Sequence, residues 1–331
     1  MDHSVKVGIL GGGWFGNFHL DNLLRMEGVE VSAFATGNQR RLEGLAQKAP
    51  WARTYTNQTA LLDGEPDLDA LIVCVPPDSH QNIEEQASAR GIHLYLEKPL
   101  GVDWEQICRN QEVIRQSGIL CAVGYQTRYN PCLDQMKDFF QKKQVGTIVA
   151  KWMGIMPQTP WWRIKARSGG QLHEQVTHMI DLLRYLFGEI RSVYSTGRRS
   201  IISHVENFDL EDHSASVFTF ENGILATVTC GCFLDPKKGK PEIRFEVYSD
   251  QGSAQYEWDT MARWGDAKQM FTSYFGNQFH YPALEAFLQA VRTGDPSGIR
   301  SPYDDSVKTF AATWAANRSM AEGREIFLDE L

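Results

Sequence analysis

A short apolar run, Val5 to Leu10, broken only by Lys6 and Gly8, passes directly into Gly11-Gly-Gly13-Trp-Phe-Gly16, and a stretch of helical character, Asn17 to Met26, follows. Glycines spaced G-x-G-x-x-G between a strand and a helix build a close backbone turn around an anion. Gly11 permits the tight turn, Gly13 lets the main chain approach a pyrophosphate, and Gly16 lets the helix lie close on the strand. The helix N-terminus offers unpaired N–H groups and the positive end of its dipole to phosphate oxygens. The spacing is common by itself. With the strand before it and the helix behind it, it reads as a dinucleotide-binding loop, its residues being Gly11, Gly13, Trp14, Phe15 and Gly16.

The end of the second strand tells the two nicotinamide dinucleotides apart. An Asp or Glu there binds the ribose 2′-hydroxyl and repels a 2′-phosphate. This chain instead reads Thr36-Gly-Asn38-Gln-Arg40-Arg41. A threonine can donate to a phosphate and an arginine can pair with it bidentately. The expectation is NADP, with NAD as the alternative, and Thr36, Asn38 and Arg41 as contacts.

The rest of the first 125 residues repeats strand and helix. Val29 to Ala35, Ala70 to Val75, Leu94 to Leu96 and Ile119 to Val123 are apolar enough for strands covered on both faces, and Gln39 to Lys48 and Ser79 to Arg90 read as helices between them. That alternation predicts an α/β fold with a parallel sheet. Beyond residue 125 the texture changes to runs with period-2 alternation: 146–154, 190–199, 214–220, 223–232 and 242–249. Glu221-Asn-Gly223 between two of them is a hairpin turn. A second, mostly antiparallel sheet is expected, giving domains 1–124 and 125–331 with the change falling at 122–130.

Lys plus Arg number 33 and Asp plus Glu 41, a formal charge of −8. That balance argues against a nucleic-acid partner. The longest apolar run, Ala70 to Val75, is far short of the about 20 residues a spanning helix needs, so no membrane partner is expected. The start, Met-Asp-His-Ser, carries no basic leader with a long apolar core, and the six cysteines are scattered, so a cytoplasmic setting is expected. Cys230 and Cys232, the one close pair, read as structural residues on one face of a strand. No metal site is expected.

Further motifs fall in a recognisable order: Val75-Pro76-Pro-Asp-Ser-His80, Glu97-Lys98-Pro99, Gly124-Tyr125-Gln126-Thr-Arg128, Trp161-Trp162-Arg163, and Gly169-Gly-Gln-Leu-His-Glu174-Gln-Val-Thr-His178-Met-Ile-Asp181. Together they resemble the Gfo/Idh/MocA family, the glucose–fructose oxidoreductase and inositol dehydrogenase group, over essentially the whole chain. The resemblance implies an N-terminal Rossmann domain and a C-terminal α/β domain whose open sheet face makes a homodimer or homotetramer. It implies that Lys98, Glu174 and His178 line the site beside the nicotinamide. It adds Val75, Pro76, His80, Glu97, Lys98, Gln126 and Arg163 to the cofactor contacts. The family's acid is usually Asp, so Glu174 departs from the pattern by one methylene.

Oxidising a secondary alcohol requires a base for the hydroxyl proton. His178 fits that role, four residues from Glu174 and therefore on the same face of a continuous helix. Asp181, one turn on, can orient the imidazole, and Lys98, at a strand's C-terminal end, can hydrogen-bond the reacting oxygen. Tyr125, Arg128 and Trp162 complete the expected substrate wall, with Tyr274 and Tyr281 as further polar candidates. His19 and His173 read as structural. The expected function is reversible hydride transfer between a nicotinamide cofactor and a ring hydroxyl or ketone of a sugar, sugar derivative or cyclitol. Two alternatives stand beside it: a cofactor-assisted glycoside hydrolase or lyase working through transient sugar oxidation, and a non-catalytic dinucleotide-binding sensor.

Overall fold

The computed structural model describes residues 4–331; residues 1–3, which open the segment read for a leader, lie outside the described residues. The chain divides into two compact units, residues 1–126 with 280–307, and residues 127–279 with 308–331.

The first unit is built on six parallel strands: β1 (Val5–Leu10), β2 (Val29–Ala35), β3 (Arg53–Tyr55), β4 (Ala70–Val73), β5 (His93–Leu96) and β6 (Cys121–Val123), in the order β3-β2-β1-β4-β5-β6. The order reverses between β1 and β4, which pair from Val7 and Ala70 to Leu10 and Val73. In such sheets a ligand lies beyond the strand ends at this switch point. The glycine loop leaves β1 there. The sequence expectation of one continuous domain over 125–331 does not hold. Helix His280–Thr293 buries Leu284, Phe287 and Leu288 in the core that holds Val7, Ile9, Leu20 and Ile72. Each such side chain contributes about 1.5–3 kcal/mol on burial, enough to commit this helix to the first sheet.

The second unit carries nine strands: β7 (Val145–Met153), β8 (Ile190–Arg198), β9 (His213–Phe220), β10 (Leu225–Gly231), β11 (Glu242–Ser249), β12 (Gly252–Glu257), β13 (Met261–Gly265), β14 (Met270–Tyr274) and β15 (Ile326–Phe327). Their order is β14-β13-β12-β11-β7-β10-β9-β8-β15, with every pair antiparallel except β7 and β10. Alternation sorts the faces. Ile148, Ala150 and Trp152 of β7 point into a core shared with helices Cys132–Phe140 and Thr177–Phe187, while Val149 between them is 49% exposed. The expected hairpin forms at 221–224, where Gly223 takes φ +89° and Phe220 N–H donates to the Ile224 carbonyl at 2.9 Å. Among the described residues no helix is long and apolar enough to cross a membrane.

Candidate functional site

In the first unit the glycine loop has the geometry its spacing requires. Gly11 adopts φ +106°, and a Cβ there would overlap the Cys74 carbonyl; a Cβ on Gly16 would overlap the carbonyl of Gly11. Those two glycines keep helix Trp14–Leu23 tight against β1 and β4. Gly13 differs: a Cβ on it meets no heavy atom within 4 Å, so the loop is open on this side. Gly13 is also the N-cap of the helix, and no side chain caps its N–H groups. An open cradle at an uncapped helix start fits a pyrophosphate. Trp14 is 68% exposed at this start and stacks on Phe18 at 5.1 Å.

Thr36 and Arg41 stand against the loop: a Cβ on Gly12 would lie 3.0 Å from Arg41 Cβ and 3.1 Å from Thr36 Cγ2. Among the described residues no side chain pairs with the Arg41 guanidinium. Asn38, expected as a cofactor contact, accepts the Arg41 N–H at 3.0 Å and caps helix Gln39–Lys48. Its Oδ1 is therefore committed to the turn that presents Thr36 and Arg41, while its Nδ2 is not part of that cap.

Beyond the C-terminal ends of β4 and β5 come Val75 and Pro76, both half-buried, and then Glu97 and Lys98. The His19 imidazole, fully buried in helix Trp14–Leu23, donates to Glu97 Oε1 at 2.7 Å. Burial pushes the Glu97 carboxyl up, but the hydrogen bond and charge of His19, helped by His280 and Lys98, outweigh it and hold its pKa below the ordinary value. Gly124 is small because Glu97 fills the space: a Cβ there would sit 2.9 Å from Oε2. His280, packed edge-on against Phe18 at 4.9 Å, has its pKa lowered to about 4, chiefly by burial. Lys98, next to this cluster, is half-buried. His80 is buried and hydrogen-bonded through Nδ1 to Glu84 Oε1 at 2.6 Å. Tyr125 is 1% exposed and Gln126 6%, so neither lies on an open wall. Tyr281 has Arg25 over its ring at 5.6 Å.

In the second unit the structure corrects three of the expected substrate residues. Arg128 donates to Asp181 through Nε at 2.8 Å and Nη2 at 2.6 Å, and both side chains are buried. Thr309 donates to the same carboxylate at 2.9 Å, and Arg184 donates to Thr309 at 2.6 Å. A carboxylate this deep needs a full set of donors. Asp181 spends its oxygens on Arg128 and Thr309 rather than on orienting an imidazole, and Arg128 is a structural partner rather than a substrate contact. Trp162 is corrected as well. It is 1% exposed, too deep to stack on a sugar, and its indole Nε1–H donates to Glu174 Oε2 at 2.7 Å.

The helix expected across Glu174 and His178 is interrupted. One segment is Gln171–Glu174, and the next, Thr177–Phe187, begins after Gln175 and Val176. His178 lies parallel to Trp152 at 6.4 Å and tilted against Trp258 at 6.0 Å. Sequence reasoning missed both tryptophans; the inward position of Trp152 in the alternation of β7 was the available signal. Arg163 is half-buried beside Trp162, and its carbonyl accepts the Asp209 N–H at 3.1 Å. His173 binds Thr313 at 2.9 Å inside the unit, as a structural histidine does. Tyr274 is 78% exposed on the edge strand β14. Burial pushes the Cys230 thiol up to about 11 and the Cys232 thiol up to about 12, which leaves both unreactive near neutrality.

Residues 5–125 match the family described as "Oxidoreductase family, NAD-binding Rossmann fold", and residues 134–255 match the GFO/IDH/MocA C-terminal domain. The scyllo-inositol 2-dehydrogenase (NAD(+)) of Bacillus subtilis (strain 168) is 26% identical over 343 residues, covering 99% of this chain and 98% of the relative. The myo-inositol 2-dehydrogenase of Thermotoga maritima is 21% identical over 341 residues, covering 99% of each chain. Among solved structures, the WlbA dehydrogenase of Bordetella pertussis in complex with NADH and UDP-GlcNAcA superposes with a TM-score of 0.83 at 18% identity, covering 98% of this chain and 99% of that one, a likeness of fold. With the glycine cradle, the Glu-Lys-Pro strand end and the Glu174-to-His178 segment in place, the chain belongs to the GFO/IDH/MocA family and is an NAD-binding oxidoreductase.

Proposed function

We propose that this oxidoreductase transfers a hydride reversibly between a nicotinamide cofactor and a ring carbinol of a cyclitol, sugar or sugar derivative. The observation that carries the cofactor half is the open cradle at Gly13 on an uncapped helix start. The relatives named as inositol dehydrogenases support the substrate half. The bound nicotinamide supplies the hydride acceptor for oxidation and the donor for reduction. The chain's own groups do the rest. Lys98 hydrogen-bonds the reacting oxygen, and His178 takes the hydroxyl proton as the C–H bond breaks, so the alcohol becomes a ketone. Glu174 binds the polyol. The backbone of Gly11, Gly13, Trp14, Phe15 and Gly16 would hold the pyrophosphate, and Val75, Pro76, His80, Glu97, Gln126 and Arg163 are the further groups that would contact the cofactor.

The cofactor form we propose is NADP. No carboxylate occupies the turn from Thr36 to Arg41, and both of those side chains pack against Gly12. We also place the enzyme in the cytoplasm, where its six free thiols stay reduced. A homodimer or homotetramer formed through the open face of the nine-stranded sheet completes the reading. Tyr194, Val217 and Val149, all 40% exposed or more, share one cross-strand row with Thr227 there.

A panel of inositols, sugars, lactones and uronates, followed at the nicotinamide band with both cofactors, tests the activity. Lys98→Ala and His178→Ala are each expected to lower kcat by about 10²-fold or more while cofactor affinity stays near that of the wild type. Near-normal turnover in both variants overturns the roles assigned to them.

A further inference from the structure

Trp162 is 1% exposed, yet its only polar atom has a partner: Nε1–H donates to Glu174 Oε2 at 2.7 Å. An indole has a single donor and no acceptor, so the ring has one polar bond to make, and Glu174 receives it.

The ring is fixed from a distant part of the chain. Trp162 forms a small core with Phe208, Leu210 and Cys232, and Met156 and Ile202 pack on its edge. The segment from 199 to 212 that supplies Phe208 and Leu210 is tied down by one carboxylate. Asp212 Oδ2 accepts the N–H groups of Ser200, Ile201 and Ile202 at 2.9, 2.7 and 2.9 Å, and Oδ1 accepts from His213 at 2.6 Å. Burial pushes the Asp212 carboxyl up, but these donors outweigh it and hold its pKa below the usual value. Asp209 binds the other end of the tryptophan segment: its N–H donates to the Arg163 carbonyl at 3.1 Å and its Oδ1 accepts the Lys165 N–H at 2.6 Å. The indole thus presents its donor from a rigid mount to a carboxylate at the end of a flexible side chain.

We infer that Trp162 is a positioning residue, whose indole N–H, anchored by the 199–212 segment, fixes the direction of the Glu174 carboxylate for substrate binding and turnover. This rests on the reading that Glu174 works on the polyol. Reach makes the device specific to glutamate. An aspartate at 174 withdraws the carboxylate by about one C–C bond, roughly 1.5 Å, which stretches the contact beyond hydrogen-bond range.

The test has two arms on the full-length protein. In the first, ¹⁵N-tryptophan labelling reports the indole N–H resonances, and the one absent from Trp162→Phe is that of residue 162. It is expected to move upfield in both Glu174→Asp and Glu174→Gln, with no substrate present. In the second, Trp162→Phe is expected to lower kcat/KM for the polyol by about tenfold or more, as loss of a charge-assisted hydrogen bond does, while the cofactor dissociation constant changes less than about twofold. Glu174→Asp in the Trp162→Phe background then costs less than it does in the wild-type background, because part of what each substitution removes is the same hydrogen bond. If Trp162→Phe does not fold, Glu174→Asp carries the kinetic arm: polyol kcat/KM falls and cofactor affinity stays. An indole resonance unmoved in both Glu174 variants, or losses that multiply in the double variant, overturns the inference. A wild-type protein that turns over no polyol overturns the reading beneath it, which the substrate-free arm tells apart from a missing hydrogen bond.

Discussion

His280 shows how much one buried side chain makes the fold depend on pH. Its pKa falls from 6.5 to about 4 on folding, with Glu97, His19 and Lys98 as its charged or titratable neighbours. Between those pH values the unfolded chain binds a proton that the folded chain refuses, so stability falls as the solution is acidified from pH 6.5 toward 4. Glu97, whose pKa is lowered, adds its loss only below its own unfolded value of 4.5. Denaturant melts of wild type and His280→Gln at pH 7 and pH 5 are expected to show the variant losing less on acidification. The whole effect amounts to about 3 kcal/mol once pH 4 is reached. The Arg128–Asp181 pair makes a second prediction at this scale. Asp181→Ala leaves a guanidinium buried without its partner and is expected to cost about 3–5 kcal/mol by urea denaturation, whereas replacing both residues with apolar ones costs markedly less. That pair was not legible in the sequence. Its members lie 53 residues apart, and each carries a residue type common in polyol sites. The Trp162–Glu174 bond was equally hidden: an aromatic beside a cation reads as a stacking surface until its burial is known. With the bond in place, a glutamate rather than the shorter aspartate at 174 acquires a physical reason.

At the scale of elements, the glycine loop was the most legible feature, because each glycine answers a local steric demand that its neighbours in the chain set. The turn after β2 sets Thr36 and Arg41 against Gly12. It makes a testable contrast: Thr36→Asp with Arg41→Ala is expected to shift the ratio of NADPH to NADH dissociation constants toward NADH by about tenfold or more, read by fluorescence titration. An unchanged ratio removes these two residues from 2′-phosphate recognition. Other elements were out of reach of pattern reading. The break at Gln175 and Val176 falls within a sequence of good helical period, and no proline marks it. Strands β12 to β14 are short and carry polar or glycine residues, so their alternation is weak, and each pairs in turn with the strand before it, starting from β11.

Across the whole molecule, two sheets with different wiring divide the tasks. The parallel sheet, with its switch point, carries the glycine loop, and the unit of the large, mostly antiparallel sheet carries Glu174 and His178 on two of its helices. The change of texture near residue 125 announced this division. The return of 280–307 to the first unit did not, since an amphipathic helix does not say which sheet it will cover. A dehydrogenase and a lyase or hydrolase that only borrows its cofactor can use the same lysine and histidine, so the bookkeeping of the nicotinamide separates them. In a reaction with excess NADP and a polyol of the inositol or sugar class, reduced cofactor counted by absorbance against polyol consumed should reach one to one. Polyol consumed with no lasting change in absorbance would contradict hydride transfer to a released cofactor.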